Sequence, residues 1–313
     1  QEIIWPNNSE RLYLSKNTFS CCTALKEVTI PTFIDWGNYS DRSIFYNSGL
    51  EKIIIEDGRK YVDSGLGSRC TTLKEVVLPS SVTSIESSAF SGCSSLQTIN
   101  MENVKDIGSS AFADCSSLQA LDIDSSAFTG CSGLTEVHIS GAIKSLAAGM
   151  FDSCTALREV TFGGDLTEIG EKAFYNCSAL ESVTLSPNLQ TIGNWAFHGC
   201  KSLASLMLPN SVTSLGEYAF ANCTNLSELK LSLGLDKIAP YAFYGDTALT
   251  KVEIPYSVQS IEKKAFANCD NLTEVTIPVS VTYIDKTAFG HYERMTIYGL
   301  SGSYAETFAL ENK

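Results

Sequence analysis

Phenylalanine returns on a fixed period along most of this chain. Phe128, Phe151, Phe174, Phe197, Phe220, Phe243, Phe266 and Phe289 are each 23 residues apart, and Phe90 and Phe112 lie upstream with steps of 22 and then 16. A period of about 20–29 residues belongs to solenoids, where a unit too small to bury its own apolar face must stack on its neighbours. Function in such a chain lies on surfaces built from rows of equivalent positions. A repeat array also overrides the two domains that 313 residues would otherwise imply.

One unit shows how the repeat works. Between Ser257 and Ile277, Leu272, Val275 and Ile277 alternate with Glu274 and Thr276, the pattern of a half-buried strand. Pro278 follows, as Pro79, Pro209 and Pro255 do in their units, and ends the strand because it lacks an N–H. Val281 and Ile284 then bring the chain inward, and Ala288-Phe289 sit at the spacing of a single helical turn. The expected fold is an α/β solenoid: an array of about 13 units, counting degenerate ones at Phe19, Phe45 and Leu66. It carries one parallel sheet on the concave face and short helical turns or loops on the convex face. At about 4.8 Å per strand the array would be roughly 60 Å long.

The cysteines follow the same period. Nine of the eleven stand three residues after the Phe: Cys22, Cys93, Cys115, Cys131, Cys154, Cys177, Cys200, Cys223 and Cys269. Cys70 fits after a one-residue shift, Cys21 is the exception, and Asp246 and Tyr292 take the slot in two late units. A disulfide framework would not survive replacement of single members. Parallel Cβ vectors on neighbouring coils also make poor disulfide geometry. These are read as free, buried thiols that behave as small hydrophobes. No C-x-x-C or His-rich spacing points to a metal, and no cofactor is implied.

The pattern L-x-x-V-x-I-P-x-x-V-x-x-I-x-x-x-A-F-x-x-C, clearest in Leu203–Cys223 and Leu249–Cys269, resembles the BspA-like (Treponema pallidum-type) leucine-rich repeat family. The match is strong over 66–298 and loose over 1–65. Residues 299–313 resemble the family's C-terminal end, a polar cap whose amphipathic helix covers the last rung. The first 65 residues read as an irregular N-terminal cap with degenerate repeats, holding Phe33, Trp36, Tyr39, Phe45, Tyr46 and Tyr61. The resemblance implies bacterial cell-surface or secreted proteins, some of them adhesins toward host matrix proteins, and offers no catalytic residues. Between Phe112 and Phe128 the unit is seven residues short, so a local bend or a gap in the outer wall is expected there.

Charge and hydropathy narrow the partners. A net charge of −13 argues against nucleic acid and anionic membranes, both of which call for clustered Lys and Arg. Basic proteins, cations or neutral glycans are easier partners. No apolar run approaches the roughly 18 residues of a transmembrane helix. The chain opens at Gln1 rather than Met, which leaves room for a removed upstream segment that anchored it to lipid or wall.

Three surface groups are candidates for binding. On the open strand face Asp122, Glu136, His138 and Glu159 converge beside the shortened unit, as a solvated acidic face or as a site for a cation or a basic partner. Acid–base catalysis would need a pocket that an open sheet does not provide. Later on that face, Glu228–Lys251–Glu274 beside Lys230–Glu253 form a charge checkerboard expected to pair across strands. On the outer surface Trp195, Tyr218 and Tyr241 occupy one position, two before the Phe. They stand either as rings stacked along the turns or as an aromatic strip for a glycan, a peptide or another protomer. The chain is thus expected to be a non-catalytic surface binding protein for a protein or glycan, such as a host matrix glycoprotein. A structural spacer or assembly scaffold on the cell envelope is the alternative.

Overall fold

The alternation at each Val-x-Ile makes a short strand, and the 23-residue return lays each strand beside its equivalent one coil later. The computed structural model describes residues 3–6, 11–35, 43–101, 103–104, 106–108, 110–118, 120–123, 128–139, 144–162, 164–290 and 292–312. It divides into two units, Gln1–Ser140 and Gly141–Lys313. Both are parallel-sheet solenoids, with about 11 turns among the described residues of the chain. The count of about 13 is not reached. A Phe marks a turn, whereas a complete coil also needs its strands.

In the first unit, Glu27–Ile30, Lys52–Ile55, Glu75–Val77 and Thr98–Ile99 form one parallel sheet. Further on, Ala120–Ile123 pairs with Glu136–Ile139. In the second unit, Glu159–Phe162 pairs with Ser182–Thr184, and Ser205–Met207 with Glu228–Lys230. Lys251–Glu253, Glu274–Thr276 and Thr296–Tyr298 form a three-stranded sheet. A second wall corrects the expectation of a single sheet. The returning Val-x-x-Ile segments also pair in parallel, as in Ser145–Leu146, Glu168–Ile169, Thr191–Ile192 and Ser214–Leu215. These strands are two residues long, too short for their alternation to stand out in the sequence.

The turns around Phe are not helical. Most carry left-handed backbone two residues before and two after the Phe: Lys172 (φ 56) and Asn176 (φ 56) around Phe174, Tyr218 (φ 55) and Asn222 (φ 61) around Phe220. A residue at positive φ every four or so stops an α-helix from propagating. The amide hydrogen bonds run to the next coil instead, as from Phe174 N–H to Ala196 O and Phe197 N–H to Ala219 O, both 2.7 Å. Coils approach closely at the Ile-Gly steps: a Cβ on Gly193 would stand 2.7 Å from Glu171 N.

Inside, the Phe rings of successive coils stack with centroids 5.0 to 5.8 Å apart. All ten periodic Phe residues are buried. The short step costs this column nothing, for Phe112 and Phe128 stack at 5.4 Å and 6°. The bend or gap expected at that unit falls on 124–127, outside the described residues. Beside the rings runs a column of thiols that donate to backbone carbonyls one coil earlier: Cys177 to Phe151 (3.1 Å), Cys200 to Phe174 (3.3 Å) and Cys223 to Phe197 (3.4 Å), with Cys93 donating to Gly67 (3.1 Å). All eleven cysteines are free. Burial pushes the thiols of Cys93, Cys115, Cys200 and Cys223 well above their ordinary range, so they are inert as nucleophiles.

At the C-terminal end the helix Tyr304–Glu311 buries Ala305 and Phe308. Phe308 meets Phe289 edge-on at 6.3 Å, and the Glu306 carboxylate accepts from Gly302 N–H at 2.7 Å. Toward the N-terminus, buried Arg59 pairs with buried Asp63 and donates to Pro31 O at 2.9 Å. Phe45 lies in the ring column, stacked on Phe19 at 5.4 Å. Trp36 and Tyr39 lie outside the described residues.

Candidate functional site

The acidic group is only partly assembled within one unit. Parallel register sets Ala120 opposite Glu136 and Asp122 opposite His138, so these last three positions occupy one patch of two neighbouring strands. Glu136 is exposed. Glu159 is exposed too, but belongs to the second unit, where its register partner is Ser182. Among the described residues no cluster of His, Cys, Asp and Glu has the arrangement of a metal site.

The aromatic row is assembled as a ladder. Trp195 stacks on Tyr218 at 5.6 Å and Tyr218 on Tyr241 at 4.3 Å, both at 12°. Lys172 Nζ lies 5.4 Å from the Trp195 ring, and Lys263 and Lys264 lie 6.0 and 5.6 Å from Tyr241. Ring faces are therefore taken by other rings and by ammonium groups, and the row is half-buried. All three residues hold positive φ (53°, 55° and 56°), a conformation that bulky side chains rarely adopt. Ser88, Ser110 and Gly149 fill the same slot elsewhere, so the turn itself does not require an aromatic. One position on from the Phe, Tyr175 and His198 stack at 4.9 Å. The Asn222 amide nitrogen lies 3.1 Å from His198 Nε2, and burial lowers the affinity of this ring for a proton.

The charge checkerboard departs from expectation. Among the described residues, Glu228, Lys230, Lys251, Glu253 and Glu274 form no ion pair. On the strand face of the first unit Lys52 does pair with Glu75, at 3.0 Å, and one residue before the strands Lys26 and Lys74 pair with Glu51 at 3.2 and 2.9 Å. The Lys74 and Lys26 ammonium groups hold the Glu51 carboxyl below its ordinary range.

Around the unpaired charges lies a hollow of about 580 Å³, lined by Met207, Leu229, Leu231, Leu233, Ile254 and Tyr256 together with Glu228, Lys230, Lys251 and Glu253. That is the volume range of small-ligand and peptide pockets. Its apolar side chains are unusually open: Met207 is 67% exposed, Leu233 60% and Tyr256 79%. Leu233, Tyr256 and Val279 (57%) occupy one slot, three residues beyond the outward strand position, on three successive coils. The backbone ladder also breaks here. Leu208 N–H donates to Lys230 O and Ile254 N–H to Thr276 O, both at 2.9 Å, but the equivalent bond from Leu231 to Glu253 is absent among the described residues. Reading the rows of the strand face alone missed this site. The available signal was the run of apolar residues in a loop slot that Asn210 fills one coil earlier.

A family model described as the BspA type leucine rich repeat region matches in several copies over 1–119, 119–226 and 167–296. A leucine rich cell surface protein from Faecalibacterium prausnitzii A2-165 is 26% identical, with 92% of this chain and 91% of that one covered at a TM-score of 0.53. A leucine-rich repeat protein from Bacteroides ovatus is 25% identical, with coverage of 93% and 88% and a TM-score of 0.50. No curated protein matches the chain. No helix among the described residues is long and apolar enough to cross a membrane. With a periodic ring column, a thiol column and parallel strand walls that the family's repeat model matches over most of its length, this chain belongs to the BspA type leucine rich repeat family.

Proposed function

We propose that this chain is a non-catalytic, adhesin-like binding protein of the bacterial cell surface, engaging a protein or glycan such as a host matrix glycoprotein. The observation that carries this reading is the late hollow. Exposed apolar side chains and unpaired charges of both signs gather there, while Lys52 and Glu75, at the equivalent strand position of the first unit, pair with each other. Contiguous exposed apolar surface of this kind marks contact sites. The similar Faecalibacterium protein, named a cell surface protein, supports the location. Asp122, Glu136, His138 and Glu159 offer a second contact, suited to a basic partner or a cation.

Surface plasmon resonance against immobilised matrix glycoproteins and glycans, at low and high salt, tests the reading. Saturable binding that weakens with salt and falls in Tyr256→Ala is expected. No binding across the panel would favour a spacer or assembly scaffold on the envelope. The lysine-capped ring ladder supports that second reading, since its faces are consumed within the chain. Loss of an oligomer on replacing Trp195, Tyr218 and Tyr241, without loss of ligand, would establish it.

A further inference from the structure

The late hollow has chemistry that selects among ligand classes, and this inference rests on the binding reading above. Two lysines and two glutamates surround an apolar floor without partners of their own. A neutral glycan could hydrogen-bond to these groups through its hydroxyls but would bring no opposite charge to any of the four. Nucleic acid or an anionic lipid surface would meet Lys230 and Lys251 but be repelled by Glu228 and Glu253. A polypeptide carries both signs of charge, apolar side chains and main-chain hydrogen-bonding groups that can meet the broken ladder at Leu231 and Glu253. We propose that this hollow binds an extended segment of a partner protein: an aliphatic or aromatic side chain enters among Met207, Leu233 and Tyr256, and acidic and basic side chains on the segment pair with Lys230/Lys251 and Glu228/Glu253.

Panning a phage-displayed random-peptide library on the full chain tests this. The expected result is enrichment of peptides with an apolar residue beside an acidic one. Their affinity should fall about tenfold or more in Tyr256→Ala and in Lys230→Glu/Lys251→Glu. All three side chains are exposed, so an unchanged circular dichroism spectrum and thermal midpoint will show that these variants fold. No enrichment, or peptides indifferent to both variants, overturns the proposal. So does a Tyr256-dependent dimer in sedimentation, which would make the occupant a second copy. If peptides fail while a glycan array binds, the general binding reading survives and only this deepening is lost.

A separate observation concerns the interior. Asp246 replaces the cysteine of its coil and is fully buried. One carboxyl oxygen, Oδ1, accepts from Cys223 N–H at 2.8 Å, while Oδ2 is buried with no hydrogen bond. From this slot Cys115, Cys131, Cys177, Cys200, Cys223 and Cys269 each send a thiol proton to the Phe carbonyl 26 or fewer residues earlier, on the preceding coil, as from Cys269 to Phe243 at 3.1 Å. The carbonyl that Asp246 would reach by the same rule, Phe220 O, takes no hydrogen bond among the described residues. Two orphans in one column, an oxygen with no donor and an oxygen with no proton, fit each other if a proton is added. We infer that Asp246 stands as a neutral carboxylic acid whose Oδ2–H donates to the Phe220 carbonyl, completing the thiol column and making these coils less stable as pH rises.

Desolvation pushes the Asp246 carboxyl well above the ordinary carboxylate range, in agreement. The titratable groups facing it are the thiols of Cys223 on one side and Cys269 on the other, and among the described residues no lysine or arginine offsets its charge. Infrared spectroscopy of the full chain at neutral pH should show a protonated-carboxyl band that Asp246→Asn removes. Asp246→Cys, which restores the usual donor, should abolish the fall of the thermal midpoint with rising pH. An ionised carboxylate in the wild type, or the same pH slope in Asp246→Cys, overturns the inference.

Discussion

The strand face carries charged residues in both units, but the two treat them differently. On the early strands Lys52 meets Glu75, and just before those strands Lys26, Glu51 and Lys74 form a chain of contacts across coils. On the late strands Glu228, Lys230, Lys251 and Glu253 stand apart around an apolar hollow. Beneath both runs the same interior of stacked rings and hydrogen-bonded thiols. The repeat therefore fixes the inside and leaves the outside free, and a surface whose charges are not neutralised internally is one on which a partner can supply the missing charges.

The largest expected effect concerns what the two regions share. Phe90→Ala and Phe220→Ala should each cost about 3–5 kcal/mol, as measured by urea unfolding, because each leaves a ring-sized gap in a continuous column. If one were tolerated and the other not, the shared-interior half of the comparison would break.

Next in size is the interior difference at Asp246. An acid held neutral in the folded state gives stability that is fully present below the ordinary carboxyl range, about pH 4, and is lost as pH rises toward the raised folded value. At mildly alkaline pH, Asp246→Cys should therefore gain about 1–3 kcal/mol, the cost of a buried polar group left unsatisfied. Thermal unfolding across pH checks both sign and size.

The smallest effect separates the two surfaces. Lys52→Ala should lower stability by under about 1 kcal/mol, less at high salt, because it breaks a surface pair. Lys251→Ala should leave the thermal midpoint unchanged, since no intramolecular pair is lost. Equal losses in the two variants would mean the late charges are paired in solution after all.

Much of this was legible in advance. The period placed the ten buried Phe residues from Phe90 to Phe289, and the cysteine slot followed from it, because core positions in a stacked repeat must recur at the same interval. The second wall was not, since steps such as Thr191–Ile192 are too short to alternate visibly. Nor was the non-helical turn: Lys172, Trp195 and Tyr218 are residue types that seldom take left-handed backbone, so nothing local announced it. For the candidate site, the aromatic row and the register of Asp122 with His138 could be read from spacing alone. The hollow could not, because Leu233 and Tyr256 lie beyond the strand, where the alternation that guides such a reading has ended.

On the proposed reading the late strand face binds and the early one does not. Surface plasmon resonance of two charge-swapped chains, Lys52→Glu/Glu75→Lys and Lys251→Glu/Glu253→Lys, on the same panel of immobilised matrix glycoproteins tests it most directly. The early swap should bind like the parent chain, while the late swap should lose about tenfold or more in affinity. Equal binding by all three chains, or loss confined to the early swap, would contradict it.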